Sequence, residues 1–125
     1  MLFRSLTAEW NRVGVNEGIE YAILTDDISK AWSGMSTKEY KQHKGLKKEG
    51  LRDNMTNMEL ILNMLAEAST TEISKVENPD GFEESRDVAK RGGNITGNAR
   101  QELEEVTGKS VISKKNSTAQ DRPGG

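Results

Sequence analysis

Residues 55–76 read MTNMELILNMLAEASTTEISKV, and the reading of this stretch decides the fold. Thr56 is followed three positions later by Glu59, with Met55 before the pair and Leu60 after it. That is a capping box with a hydrophobic staple: the hydroxyl and the carboxylate each satisfy a backbone N–H that the first turn leaves open. Downstream, Met58, Leu60, Ile61, Leu62, Met64 and Leu65 place apolar side chains on nearly every side. The pattern predicts a helix over 57–76 buried at the centre of the domain. ASTTEI (68–73) repeats the hydroxyl-to-Glu spacing, but nothing before it breaks the helix, so it reads as helix interior.

The same signal recurs upstream. MSTKEY (35–40) pairs Ser36 with Glu39 and sets Met35 against Tyr40, predicting a short helix over 37–44 that stops at Gly45. A first helix is expected at Leu6–Arg12, ended by the Gly14 region. A second is expected after Thr25, with Ile28, Ala31 and Trp32 on one face. IEYAILT (19–25) is either a short extended stretch or the lead into that helix. NPDG (78–81) breaks the chain through Pro79 and the Asp-Gly pair. The last helix is expected from Glu83 to Val106, with its apolar stripe at Val88, Ile95, Ala99, Leu103 and Val106. Thr107-Gly108-Lys109 then supplies a glycine cap and a cation at the negative helix end. The expected architecture is all-α: a small irregular helical domain over 1–112, with a buried central helix and a long C-terminal helix. Residues 113–125, SKKNSTAQDRPGG, form a flexible polar tail with nothing to bury.

AKRGGNITGNAR (89–100) sits awkwardly in a helix, because each glycine costs about 1 kcal/mol against alanine. Ala89, Gly92, Gly93, Thr96 and Gly97 share one side, a strip smooth enough for another backbone to approach closely. The partner is either the central helix or the same helix of a second chain, which would make a homodimer. The other reading is a break at Gly92-Gly93, with Asn94 capping a new helix.

The totals narrow the chemistry. A chain of 125 residues suits one domain. It has no cysteine, which excludes disulfides, thiol catalysis and cysteine-bound zinc, and fits a cytoplasmic location. The start, MLFRSLTAEW, lacks the apolar core of a signal peptide, and no run has membrane-spanning length, so a soluble protein with no membrane contact is expected. Net charge is −2, unevenly spread: Lys38–Asp53 holds six cations and three anions, leaving −5 for the remainder. Nucleic acid, if contacted, would be contacted locally, through Lys41, His43, Lys44, Lys47, Lys48 and Arg52. The plainer reading is a solvated lysine face with Leu46 and Leu51 turned inward.

No reaction centre emerges. His43, the single histidine, has no nucleophile motif around it. Glu83, Glu84 and Asp87 suit the positive start of a helix as well as they suit a cation. TGKS (107–110) follows a helix instead of preceding one, and Leu103 stands where a phosphate loop needs glycine. Trp10, Trp32 and Phe82 read as core. No catalytic residue, metal ligand or cofactor is expected.

HKGLKK (43–48), the helix start from Met55 to Leu60, LAEASTTE (65–72) and a closing helix ending in TGK carry a family likeness, with ILTDDISKAWSGM (23–35) at the corresponding turn. Over about residues 3–115 the chain resembles the C-terminal half of DNA damage-inducible protein D (DinD) and its prophage antirepressor relatives. The resemblance implies a non-enzymatic regulator of the SOS or prophage response that acts by protein–protein contact, with RecA filaments or a phage repressor as partner. It supplies no catalytic or ligand residues. The N-terminal BRO-type half that family members usually carry is absent from this sequence. Two alternatives stand beside this one: a nucleic-acid-binding module through residues 41–52, and a dimerisation module of an antirepressor.

Overall fold

A computed structural model describes residues 2–114. It contains α1 (Leu2–Arg12), α2 (Ile19–Ser33), α3 (Thr37–His43), a 3-10 turn (Arg52–Asn54), α4 (Asn57–Glu77) and α5 (Gly81–Thr107), with no strand among the described residues. None of these helices is long and apolar enough to cross a membrane. Most of the expected tail, residues 115–125, lies outside the described residues. Just before it, Val111 and Ile112 pack on the core, and the Val111 N–H donates to Glu104 Oε2 at 2.8 Å.

Local chemistry sets the helix ends. Both capping boxes form, Ser36 with Glu39 and Thr56 with Glu59. IEYAILT proves to be the first two turns of α2, which starts after Gly18 at φ 86 and ends at Gly34, in the left-handed region. With no neighbouring strand to pair with, its backbone is satisfied only by a helical ladder. α1 begins one turn earlier than expected. Between α4 and α5, Asn78 adopts φ 48, Pro79 is buried, and the Gly81 N–H reaches back to the Val13 carbonyl at 2.8 Å.

α5 runs unbroken through Gly92 and Gly93, so Asn94 caps nothing. The reason lies in what surrounds those glycines. A Cβ on Gly92 would stand 2.8 Å from the Thr70 Cα of α4; on Gly93, 2.8 Å from the Ile28 carbonyl oxygen of α2; on Gly97, 2.7 Å from the Ala31 carbonyl oxygen. Ala89 and Thr96 are fully buried between them. α5 is thus wedged between α2 and α4, and the small-residue strip is an intramolecular seam with no room for a second chain.

That seam corrects two expectations. The buried face of α5 is Ser85, Val88, Ala89, Gly92, Gly93 and Thr96, while Ile95 and Val106 of the expected apolar stripe are exposed. Val88 of that stripe is buried and Ala99 packs against the core, but close backbone approach selects small residues, so counting large apolar ones misplaces Ile95 and Val106. α4 is central, touching α1, α2 and α5, but it is covered on one side only. Its inward residues are Glu59, Leu62, Ala66, Glu67, Thr70, Thr71 and Ser74. Met58, Ile61, Met64 and Leu65 face outward and are 41%, 56%, 38% and 39% exposed.

The core gathers Leu6 and Trp10 of α1, Leu24, Ile28 and Trp32 of α2, Tyr40 of α3, and Leu62 and Ala66 of α4, with Phe82 half-buried against it. α1 is fastened to α4 by Glu9, which is buried, pairs with Arg12 and accepts from Ser74 Oγ at 2.9 Å. The Arg12 hydrogen bond holds the Glu9 carboxyl below the usual carboxylate range, against the opposing effect of burial. A depressed folded-state pKa gives stability that is present above the unfolded value and lost as pH falls through the folded one. In Glu9→Gln the fall in the urea midpoint below about pH 4 is expected to flatten relative to the parent chain. Parallel acid profiles for the two would disprove the assignment.

Candidate interaction surface and the buried basic corner

The basic run does not form one cationic face. α3 closes at His43, Gly45 turns the chain at φ 72, and Leu46 enters the interior. Lys44 goes inward with it. Its Nζ lies 2.8 Å from Glu59 Oε1, and both side chains are fully buried. Glu59 Oε1 also accepts from the Thr56 backbone N–H at 3.0 Å, and Oε2 accepts from the Tyr40 hydroxyl. One carboxylate therefore closes the cap of α4, neutralises a buried cation and fixes a phenol. Burial and the adjacent carboxylate push the Tyr40 hydroxyl pKa far above its ordinary value, so it stays a donor. The Tyr40 ring lies 6.0 Å from that of Trp32, whose Nε1 donates to Asn63 Oδ1 at 3.3 Å. This corrects the expectation that Lys44 contacts a partner or nucleic acid: it is an internal strut joining α3 to α4.

The other cations disperse. Arg52 pairs with Glu67 of α4 and lies over the Phe3 ring at 5.8 Å. Lys41 and His43 are half-buried, whereas Lys47 and Lys48 are exposed on the loop after α3. Two exposed lysines and one half-buried one make a rim, not a groove that tracks a phosphate backbone.

Two carboxylates of early α5, Glu84 and Asp87, are engaged locally. Glu84 Oε1 accepts from the Asp80 N–H at 2.8 Å, and Asp87 and Glu77 both pair with Arg91. Among the described residues no three His, Asp or Glu side chains gather as a metal would need. TGKS is the stop of α5, with Gly108 at φ 70.

What the sequence reading missed is the outward face of α4. Met58, Ile61 and Leu65 follow one another at helical spacing, with Met64 alongside. Between Met58 and Glu72 the two charges, Glu59 and Glu67, both point inward, so the exposed side stays uncharged as far as Glu72. Single exposed apolar residues are ordinary, but a contiguous set on one rigid helix marks a contact surface. The signal lay in another segment. Glycines on α5 demand short residues opposite, which assigns Ala66 and Thr70 to the inside and turns Met58, Ile61, Met64 and Leu65 out.

A family model for the DinD C-terminal domain matches residues 3–118. No curated protein and no solved structure matches the chain. With nearly the whole sequence spanned by that one model, the chain belongs to the DinD C-terminal domain family.

Proposed function

We propose that the chain is a non-enzymatic regulatory domain of the bacterial DNA-damage or prophage response, acting by protein–protein contact through the outward face of α4. The observation that carries this reading is the uncharged apolar face of Met58, Ile61, Met64 and Leu65, held on a helix that is packed on its other side by α1, α2 and α5. Family membership supports the setting, and the likeness to DinD points to RecA filaments as the partner. Antagonism needs no chemistry. A domain that binds a protomer surface better off the filament than on it shifts assembly by mass action. Lys47 and Lys48, exposed on the loop before α4, would steer approach to an acidic partner and set the salt dependence of the on-rate.

The test is co-sedimentation of the chain with RecA filaments on single-stranded DNA. Ile61→Ser with Leu65→Ser is expected to weaken binding by about tenfold or more, as loss of two central apolar anchors does. The fold should survive, because both side chains already face water. A parent chain that stays in the supernatant and leaves filament length unchanged would remove the proposal. Direct nucleic-acid binding is a weaker reading, resting on the exposed Lys38, Lys47 and Lys48. So few phosphate contacts predict a shallow salt slope.

A further inference from the structure

α1, α2, the 3-10 turn and the first half of α4 line a half-open cavity of about 150 Å³ beside Arg52, with apolar walls from Phe3, Leu6, Ile28, Leu51 and Met55. An apolar cavity of this size accommodates one benzene ring. The cavity also contains a charge. Glu67 lines it, and the Glu67 side chain is only 5% exposed. Its Oε2 accepts from the Arg52 guanidinium, but Oε1 is buried with no hydrogen-bond partner among the described residues. Buried carboxylate oxygens are rarely left in that condition.

Most of the neighbouring polar groups are bonded within the chain. Thr25 Oγ1 donates to the Tyr21 carbonyl at 2.8 Å, Ser29 Oγ to the Met35 carbonyl at 2.8 Å, and Thr37 Oγ1 to Asp26 at 2.6 Å. Asn63 Oδ1 is taken by Trp32. Glu67 Oε1 is the acceptor left over. Arg52 is 42% exposed and lies over Phe3 at 5.8 Å, so it stands at the mouth.

We propose that this cavity binds a small uncharged aromatic molecule carrying one hydroxyl or N–H donor, in the class of phenol or indole. The ring fills the apolar walls and the donor satisfies Glu67 Oε1. Neutrality follows from the Glu67–Arg52 pair, whose charges already cancel: a cation would face Arg52 uncompensated, and an anion would face Glu67. The proposal is independent of the α4 contact face, since none of Met58, Ile61, Met64 or Leu65 lines the cavity.

The experiment uses the full chain, with phenol, indole and benzene as probes, followed by two-dimensional amide NMR and thermal denaturation. Phenol and indole are expected to shift amides of Leu51–Met55 and to raise Tm in proportion to occupancy. Benzene, which has the ring without the donor, is expected to bind about tenfold more weakly than phenol. Met55→Trp, at the half-buried rim, should fill the cavity and abolish all three responses while the circular dichroism of the chain is retained. Glu67→Leu should erase the preference for phenol. Should that variant not fold, the phenol-to-benzene ratio in the parent chain and the Met55→Trp result still decide. Absence of any response to phenol and indole, benzene binding as tightly as phenol, or binding unchanged by Met55→Trp would each overturn the proposal.

Discussion

Replacing Lys44 by methionine is expected to destabilise the domain by about 3–5 kcal/mol, because it strands the Glu59 carboxylate in the interior without its cation. Lys44 and Glu59 are fully buried 2.8 Å apart, so water cannot take over the lost partner. Glu59→Leu should cost a comparable amount by stranding Lys44, and it also opens the cap of α4. The informative variant is the double one, Lys44→Met with Glu59→Leu. Removing both charges leaves only the Tyr40 hydroxyl and the Thr56 N–H short of an acceptor, so its loss should be smaller than either single loss. Urea unfolding at neutral pH measures all three. Single variants that each cost under about 1 kcal/mol would mean that the pair is not desolvated.

Gly92→Ala is the second large effect, and its sign opposes helix propensity. On propensity alone the change would gain about 1 kcal/mol. Yet the new methyl would lie 2.0 Å from Thr70 Oγ1 and 2.8 Å from both the Cα and the backbone N of Thr70. A side chain can rotate away; a backbone inside α4 cannot. A net loss of about 2–3 kcal/mol is expected from forcing α4 and α5 apart. Gly93→Ala should behave alike, since its methyl would meet Ala31 Cβ at 2.5 Å and the Ile28 carbonyl oxygen at 2.8 Å. Gly108→Ala is the control: nothing lies within 4 Å, and the cost there is only that of φ 70. A Gly92→Ala chain as stable as its parent would show that the seam is not close-packed.

The helices were legible wherever punctuation is local. Ser36 with Glu39 and Thr56 with Glu59 mark two starts to the residue, because a cap depends on four consecutive positions and nothing else. The ends at Gly34, Gly45 and Gly108 need a positive φ and use glycine for it. Orientation was less legible. Which side of α4 faces inward depends on Gly92, more than twenty residues downstream, and no window centred on α4 contains it. The lysine run misled for a similar reason. Spacing alone makes Lys44 a neighbour of Lys41 and Lys48, but Glu59 lies fifteen residues away and becomes its counter-ion only once α3 has folded back on α4. The surface cations could be counted from sequence; which of them is internal could not.

The wedge of α5 between α2 and α4 also bears on how the domain is made. On the ribosome α5 is the last helix to be made, and until Gly92, Gly93 and Gly97 are in place the slot between α2 and α4 has nothing to fill it. The nascent chain therefore acquires its final packing late. A product cut short before residue 97 would be a substrate for quality-control proteases.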